Sequence, residues 1–184
     1  MEGMKYRAIL ADPPWHFRVR SAKGEGRSAS GHYPVASMAD LKDISVTDWA
    51  AADCCMFMWA TDPMLPQALT LIDAWGFTFK TVGFYWTKRN RNGSPFIGMG
   101  YWTRANPEQC LLATRGHPKR IGRDVRRWID APRREHSRKP DEIYERIERL
   151  VDGPYLEMFA RQTRDGWDAW GNETDKFGHI EGTT

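Results

Sequence analysis

The chain opens on an apolar run, Tyr6-Arg7-Ala8-Ile9-Leu10-Ala11, that stops at Asp12-Pro13-Pro14. Proline cannot donate to a sheet ladder, so the run reads as a buried strand closed by its prolines. Cys54-Cys55-Met56-Phe57-Met58-Trp59-Ala60 is apolar without alternation, which predicts a second strand buried on both faces. Phe79 to Thr87, Gln109 to Thr114 and Tyr155 to Phe159 predict three more, the fourth ending at Gly116. Pro63 to Trp75 reads as a helix closed by Gly76, a residue that tolerates the left-handed backbone found there. Pro140 to Val151 places Ile143, Ile147 and Leu150 on one face, with Pro140 at the first helical position. Met38 to Ala51 carries apolar side chains at mixed helical spacing. Residues 16–34, rich in Arg, Gly and Ser, read as a mobile loop, and a basic loop with Gly93, Gly98 and Gly100 follows the third strand. Strands alternating with helices predict an α/β fold around a mostly parallel sheet.

Length and composition narrow this picture. A chain of 184 residues has room for one domain with a sizeable core, expected over residues 5–173 with 174–184 as a flexible tail. No apolar stretch reaches the roughly 18 residues of a spanning helix, so no membrane partner is expected. Met1 to Arg7 lacks the apolar segment of a secretory signal, which points to a cytoplasm. Cys54, Cys55 and Cys110 show no metal-ligand spacing; they read as small buried hydrophobes, and no metal site is expected. The formal net charge is only +3, yet fourteen Lys or Arg stand against four acids between Lys88 and Lys139. So sharp a split predicts one face built for a polyanion, with solvated loops as the alternative.

Asp12-Pro13-Pro14-Trp15 lies at the carboxyl end of the first strand, where open α/β sheets bind ligands. Methylating an exocyclic amine of a nucleobase requires acceptors for its N–H groups, because its lone pair is delocalised into the ring. The Asp12 carboxylate and the Pro13 carbonyl offer two, in a geometry fixed in advance by the prolines, and Trp15 offers a flat face for an extruded base. The alternative is a Pro-Pro turn with a core tryptophan. Lys139 stands just before a helix N-terminus, placed to pair with a ligand carboxylate such as that of a methionine tail. Arg133, Arg134 and Arg138 precede it and are candidate substrate contacts. Glu157 and Arg161, with Asn172 and Glu173, offer partners for an amine and for ribose hydroxyls, although Asn-Glu after Gly171 is also ordinary turn chemistry.

Together these clusters resemble the adenine-N6 methyltransferase family that includes the catalytic subunit of the eukaryotic mRNA writer and small phage and bacterial members. Its Asp-Pro-Pro-Trp stands at 12–15, its Ser/His-x-Lys-Pro-Asp-Glu-Ile-Tyr at 137–144 and its Glu-x-Phe-x-Arg at 157–161. The tyrosine after its catalytic loop resembles Tyr33, and its Trp/Arg…Glu…Cys-Leu stretch resembles Trp102, Arg104, Glu108 and Cys110-Leu111. Ala160 stands where many members have Gly, and Gln162-Thr163-Arg164 replaces a His-Asn pair. The resemblance implies a Rossmann-like fold with helices on both faces of the sheet and the catalytic motif ahead of the cofactor motif. It implies S-adenosylmethionine as cofactor, held by Asp12, Lys139, Glu157, Arg161, Asn172 and Glu173. Asp12, Pro13, Pro14 and Trp15 would carry catalysis, and Trp15, Tyr33, Arg104, Arg133, Arg134 and Arg138 would meet the substrate. The implied substrate is adenine in nucleic acid, DNA ahead of RNA; cytosine N4 and an inactive nucleic-acid-binding partner subunit are the alternatives. Recognition would come from loops 16–34, 88–105 and 115–138, or from a second subunit that could be another copy of the chain. The setting implied is a bacterial or phage-infected cell.

Overall fold

The computed structural model describes residues 3–15, 36–135 and 138–182. Their nine strands are β1 (Tyr6–Ala11), β2 (Ala50–Ala60), β3 (Thr78–Arg89), β4 (Glu108–Arg115), β5 (Trp128–Pro132), β6 (Tyr155–Met158), β7 (Thr163–Arg164), β8 (Trp167–Trp170) and β9 (His179–Ile180). One sheet holds them all, in the order β5-β3-β4-β2-β1-β6-β8-β7-β9. β1 lies at its centre, parallel to both β2 and β6. The sheet is mostly parallel; β4 runs against β2 and β3, and β7 against β8.

The helices are α1 (Met38–Lys42), α2 (Leu65–Ala74) and α3 (Glu142–Leu150). The two-residue period of β2 sorts the core into two layers. Cys54, Met56, Met58 and Ala60 face Leu41 of α1 and Ala68, Leu71 and Ile72 of α2. Cys55, Phe57 and Trp59 face Ile143, Tyr144 and Ile147 of α3. Helices therefore cover both faces of the sheet. The adjacent cysteines point to opposite layers, and burial pushes the Cys54 thiol up to about 12 and the Cys55 thiol to about 11.

Local chemistry accounts for the helix ends. Ser37 and Asp40 form a reciprocal capping box at the start of α1. At the end of α2, Gly76 takes φ 75°, its amide bonds the Asp73 carbonyl and the Phe77 amide bonds the Ile72 carbonyl. That is the left-handed closure expected of Gly76. The helix predicted from Pro63 instead begins with a 3-10 turn over Asp62–Met64, and only from Leu65 is it α-helical. α3 starts at Glu142, two residues after Pro140, with Asp141 as its cap. Met38 to Ala51 divides into α1, a 3-10 turn over Val46–Asp48 and the start of β2.

Four strands add to the five predicted. β5 lies at the sheet edge inside the basic stretch, and β7, β8 and β9 have two to four residues each. Runs this short carry no readable period in sequence; pairing to neighbouring strands defines them. Residues beyond Glu173 join the fold, because β9 pairs with β7.

Candidate active site

β1 carries Asp12 to the carboxyl edge of the sheet, where the Asp12 amide still bonds the Met158 carbonyl at 3.4 Å. Pro13 and Pro14 then end the ladder, and the half-buried carboxylate turns into an open cleft that it shares with Lys139, Tyr144, Glu157, Phe159 and Arg161. The Lys139 ammonium lies 3.0 and 2.9 Å from the two Asp12 oxygens, and the Arg161 guanidinium lies 3.5 Å from one of them. Lys139 also reaches Glu108 Oε1 at 3.0 Å, and Lys88 reaches Glu108 Oε2 at 2.7 Å. Alternating charges thus run Lys88–Glu108–Lys139–Asp12–Arg161 across five separate segments of the chain.

Glu108 is 5% exposed, and burial alone would raise its pKa; the Lys139 and Lys88 ammoniums instead pull it down to about 2. Burial would likewise lower the Lys139 pKa, but the Asp12 and Glu108 carboxylates hold it above the ordinary lysine value. Each buried charge in the network is therefore matched by an opposite one, as burial demands. A staple fixes the segment that presents Lys139. Arg134 grips both Asp141 oxygens at 2.8 and 2.7 Å and donates to the Lys139 carbonyl.

The opposite wall of the cleft is a line of donors ending on Glu157. Arg138 Nε donates to Gln162 Oε1 at 2.9 Å, Gln162 Nε2 to the Tyr144 hydroxyl at 2.8 Å, and that hydroxyl to Glu157 Oε2 at 2.9 Å. Burial, with the nearby Asp12 charge, raises the Glu157 pKa to about 7 against the pull of Tyr144 and Arg161. Phe159 and Phe177 supply the apolar lining, and Arg161 and Arg138 lie 5.4 and 5.1 Å from the Phe177 ring. Phe159 holds φ 60°, a left-handed conformation that costs a side-chain-bearing residue about 1–2 kcal/mol. Packing against Trp75 and Trp170 stabilises it there.

The structure thus brings Asp12, Lys139, Glu157, Arg161 and Arg138 around one cleft. Other expected site residues lie elsewhere. Trp15 is 6% exposed and packs in the α2-side core, with its indole N–H donated to the Trp59 carbonyl at 3.1 Å. The Pro13 carbonyl already accepts the Trp15 amide at 2.8 Å, which leaves one lone pair for a ligand. Asn172 is exposed, and Glu173 pairs with Lys176 at 2.7 Å. Arg104 is exposed, as is Arg133, whose guanidinium lies 4.4 Å from the Phe96 ring. Tyr33 and loop 16–34 fall outside the described residues. Lys88, Tyr144, Gln162 and Phe177 were given no site role by sequence reasoning, although Tyr144 closes the motif at 137–144 and Gln162 marks a departure from the family pattern. Tyr144 could have been given one, since it lies beside Ile143 on α3 and is buried like it; the others became visible only through their partners.

The model of the MT-A70 family matches residues 6–173. The chain belongs to the MT-A70 family. A relative, the type II methyltransferase M.MunI of a Mycoplasma species, is 33% identical over 92% of this chain and 78% of its own length. The N(6)-adenosine-methyltransferase MT-A70-like protein of Arabidopsis thaliana is 29% identical over 91% of this chain. The N(6)-adenine-specific methyltransferase METTL4 of Mus musculus is 28% identical over 97% of it. The match to this chain covers 24% of the Arabidopsis protein and 40% of the mouse one. The matched span takes in the whole charge network, from Asp12 to Arg161.

Proposed function

We propose that this MT-A70 chain transfers the methyl group of S-adenosylmethionine to the N6 amine of adenine in DNA. In this reading it is a single Rossmann-like domain with its catalytic motif ahead of its cofactor motif. It works in the cytoplasm of a bacterial or phage-infected cell. The observation that carries the proposal is the Asp12 carboxylate at the open end of β1, in one cleft with two cations and a second carboxylate. A methionine tail bears a carboxylate and an ammonium side by side, and the cleft offers the complement. Lys139 and Arg161 suit the first group, and Glu157 suits the second. Phe159 and Phe177 suit the apolar parts of such a ligand.

The bound cofactor would supply an electrophilic methyl group on a sulfonium. The residues do the rest. Asp12 accepts an N–H of the target amine, which localises the nitrogen lone pair and aims it. As the N6 nitrogen gained the methyl group that the sulfonium would give up, the Asp12 oxygen that holds its N–H would take the departing proton. Pro13 contributes the remaining lone pair of its carbonyl to the second N–H. Trp15 supports the motif from the core, and Asn172 and Glu173 stand for the ribose end.

Lys139 links the two ligands. Its three N–H donors already have three carboxylate oxygens within 3.0 Å, two on Asp12 and one on Glu108. Asp12 keeps lone-pair capacity for an adenine N–H beyond these contacts, and a cofactor carboxylate would draw Lys139 partly away from it. Glu108 meanwhile keeps Lys139 charged and in place.

The test is mass spectrometry of nucleosides from DNA and RNA incubated with the protein and methyl-labelled cofactor. Labelled N6-methyldeoxyadenosine from DNA is the expected product. Label in RNA adenosine alone moves the substrate to RNA, and label on cytosine, or none on any adenine, overturns the proposal.

A further inference from the structure

Residues 90–107, which join β3 to β4, carry Arg91 and Arg104 and no acid. Within six positions they expose four large apolar side chains: Ile97 at 73%, Met99 at 56%, Tyr101 at 66% and Trp102 at 100%. Single exposed hydrophobes need no explanation, but a cluster on one loop marks an interaction surface.

This loop is tightly built. The Gly98 amide bonds the Ala105 carbonyl at 2.7 Å, and the Asn106 side chain ties Phe96 to Lys88 through bonds of 2.6 to 3.0 Å. A Cβ at Gly98 would come within 2.6 Å of the Ala105 oxygen, and one at Gly100 would collide with the Thr103 oxygen. Glycine at both places lets the arms close, and the closure holds Tyr101 and Trp102 at a crown. The feet of the loop adjoin Lys88 and Glu108, and both belong to the charge network of the cleft. The loop therefore springs from the ion-pair chain that ends in the site.

A paired adenine reaches Asp12 only by leaving the base stack. Proteins that open a stack insert an apolar wedge between base steps, and aromatic faces replace lost stacking with little sequence preference. An apolar crown on an acid-free loop with exposed arginines suits that task, since its flanks favour phosphates. We propose that this crown, with Trp102 at its apex, enters a nucleic-acid duplex beside the target adenine and replaces the stacking that the extruded base gives up. The proposal rests on the reading of the chain as an adenine methyltransferase.

Trp102→Ala tests it, with Trp102→Phe as the conservative variant; a fully exposed side chain can be removed without opening the core. Methylation rates are compared on a duplex that the wild type modifies, on the same duplex mismatched at the target adenine, and on its single strand. The alanine variant should lose about tenfold or more on the paired duplex and stay within about twofold on the other two substrates. Trp102→Phe should recover most of the loss. Duplex affinity should fall with no change in the slope of log K against log salt, because stacking releases no counterions. Equal losses on all three substrates, no loss, or wild-type activity confined to single strands would each overturn the wedge. So would a drop in molar mass by light scattering, which would make the crown a contact between copies of the chain. A wild type that labels no adenine in any substrate marks instead the failure of the methyltransferase reading.

Discussion

Asp12 is the partner of two cations in the structure and of an amine in the proposed reaction, and the two roles make separable predictions. Asp12→Ala should cut turnover by about 10²–10⁴, the effect of losing a positioned polar group in the transition state. Calorimetry should still find S-adenosylhomocysteine bound within about tenfold of wild type, because the variant leaves Lys139 to the cofactor carboxylate. Lys139→Ala should weaken S-adenosylmethionine and S-adenosylhomocysteine alike by about 2–4 kcal/mol, the cost of removing one member of a desolvated charge pair. 5′-Methylthioadenosine has no carboxylate, and its affinity should stay unchanged. Glu157 adds a pH dependence. Its pKa is raised to about 7, and only its ionised form attracts an ammonium, so cofactor affinity should climb as pH rises through about 7. Binding there should release a proton into the buffer, and Glu157→Gln should abolish both effects. The sign for stability is opposite. The folded state holds the Glu157 proton more tightly than an unfolded chain with the ordinary value of 4.5, so its contribution is full below that value and lost by about 7. Thermal melts should then show Glu157→Gln gaining on wild type as pH rises through this window.

At the scale of elements, the approach to α3 decides where Lys139 points. The staple of Arg134 on Asp141 and on the Lys139 carbonyl spans this turn. Removing either partner of this half-buried pair should cost about 1–2 kcal/mol in urea melts, in the range of charge-assisted hydrogen bonds. A double-mutant cycle between Arg134→Ala and Asp141→Ala should show that most of the loss is shared. Both variants should also bind S-adenosylhomocysteine less tightly, since the backbone of Lys139 loses its tether. The same staple revises what the arginine cluster contributes to substrate binding. Arg134 is spent on Asp141 and Arg138 on Gln162, so Arg133 alone of the three is exposed.

Over the whole molecule, the surplus of cations between Lys88 and Lys139 divides into internal and outward-facing groups. Lys88, Arg89, Arg134, Arg138 and Lys139 pair with acids and half-buried Arg115 donates to the Thr47 carbonyl, whereas Arg91, Arg104, Lys119, Arg120, Arg123, Arg126, Arg127 and Arg133 are exposed. If about five of the exposed set meet duplex phosphates, log K should fall against log salt with a slope of about −4 to −5. Replacing Arg133, Arg134 and Arg138 together by Gln should flatten that slope by about one unit, that of Arg133, at roughly 0.9 per phosphate contact. A flattening of about three units, measured on a short duplex over a salt series, would mean that the staple opens when nucleic acid binds.

Wherever neighbours in the chain suffice, the sequence by itself determined the outcome. The Pro-Pro stop after β1 put Asp12 at the edge of the sheet, the apolar run of β2 put that strand between two layers, and Gly76 closed α2. The spacing of Ile143 and Ile147 set the buried face of α3. Tertiary structure decided what depends on partners distant in sequence. Glu108 bridges Lys88 and Lys139 only because β4 lies beside β3 and the turn before α3 crosses the edge of the sheet. Phe177 lines the cleft because β9 folds back on β7, and Trp15 became a core residue because Trp59 offered its indole a carbonyl. The short strands β5 and β7–β9 likewise draw their ladders from neighbouring strands. The physical reason is one of range: turns and periodic burial are fixed within a few residues, whereas a buried charge or ring is fixed by whatever the fold brings against it.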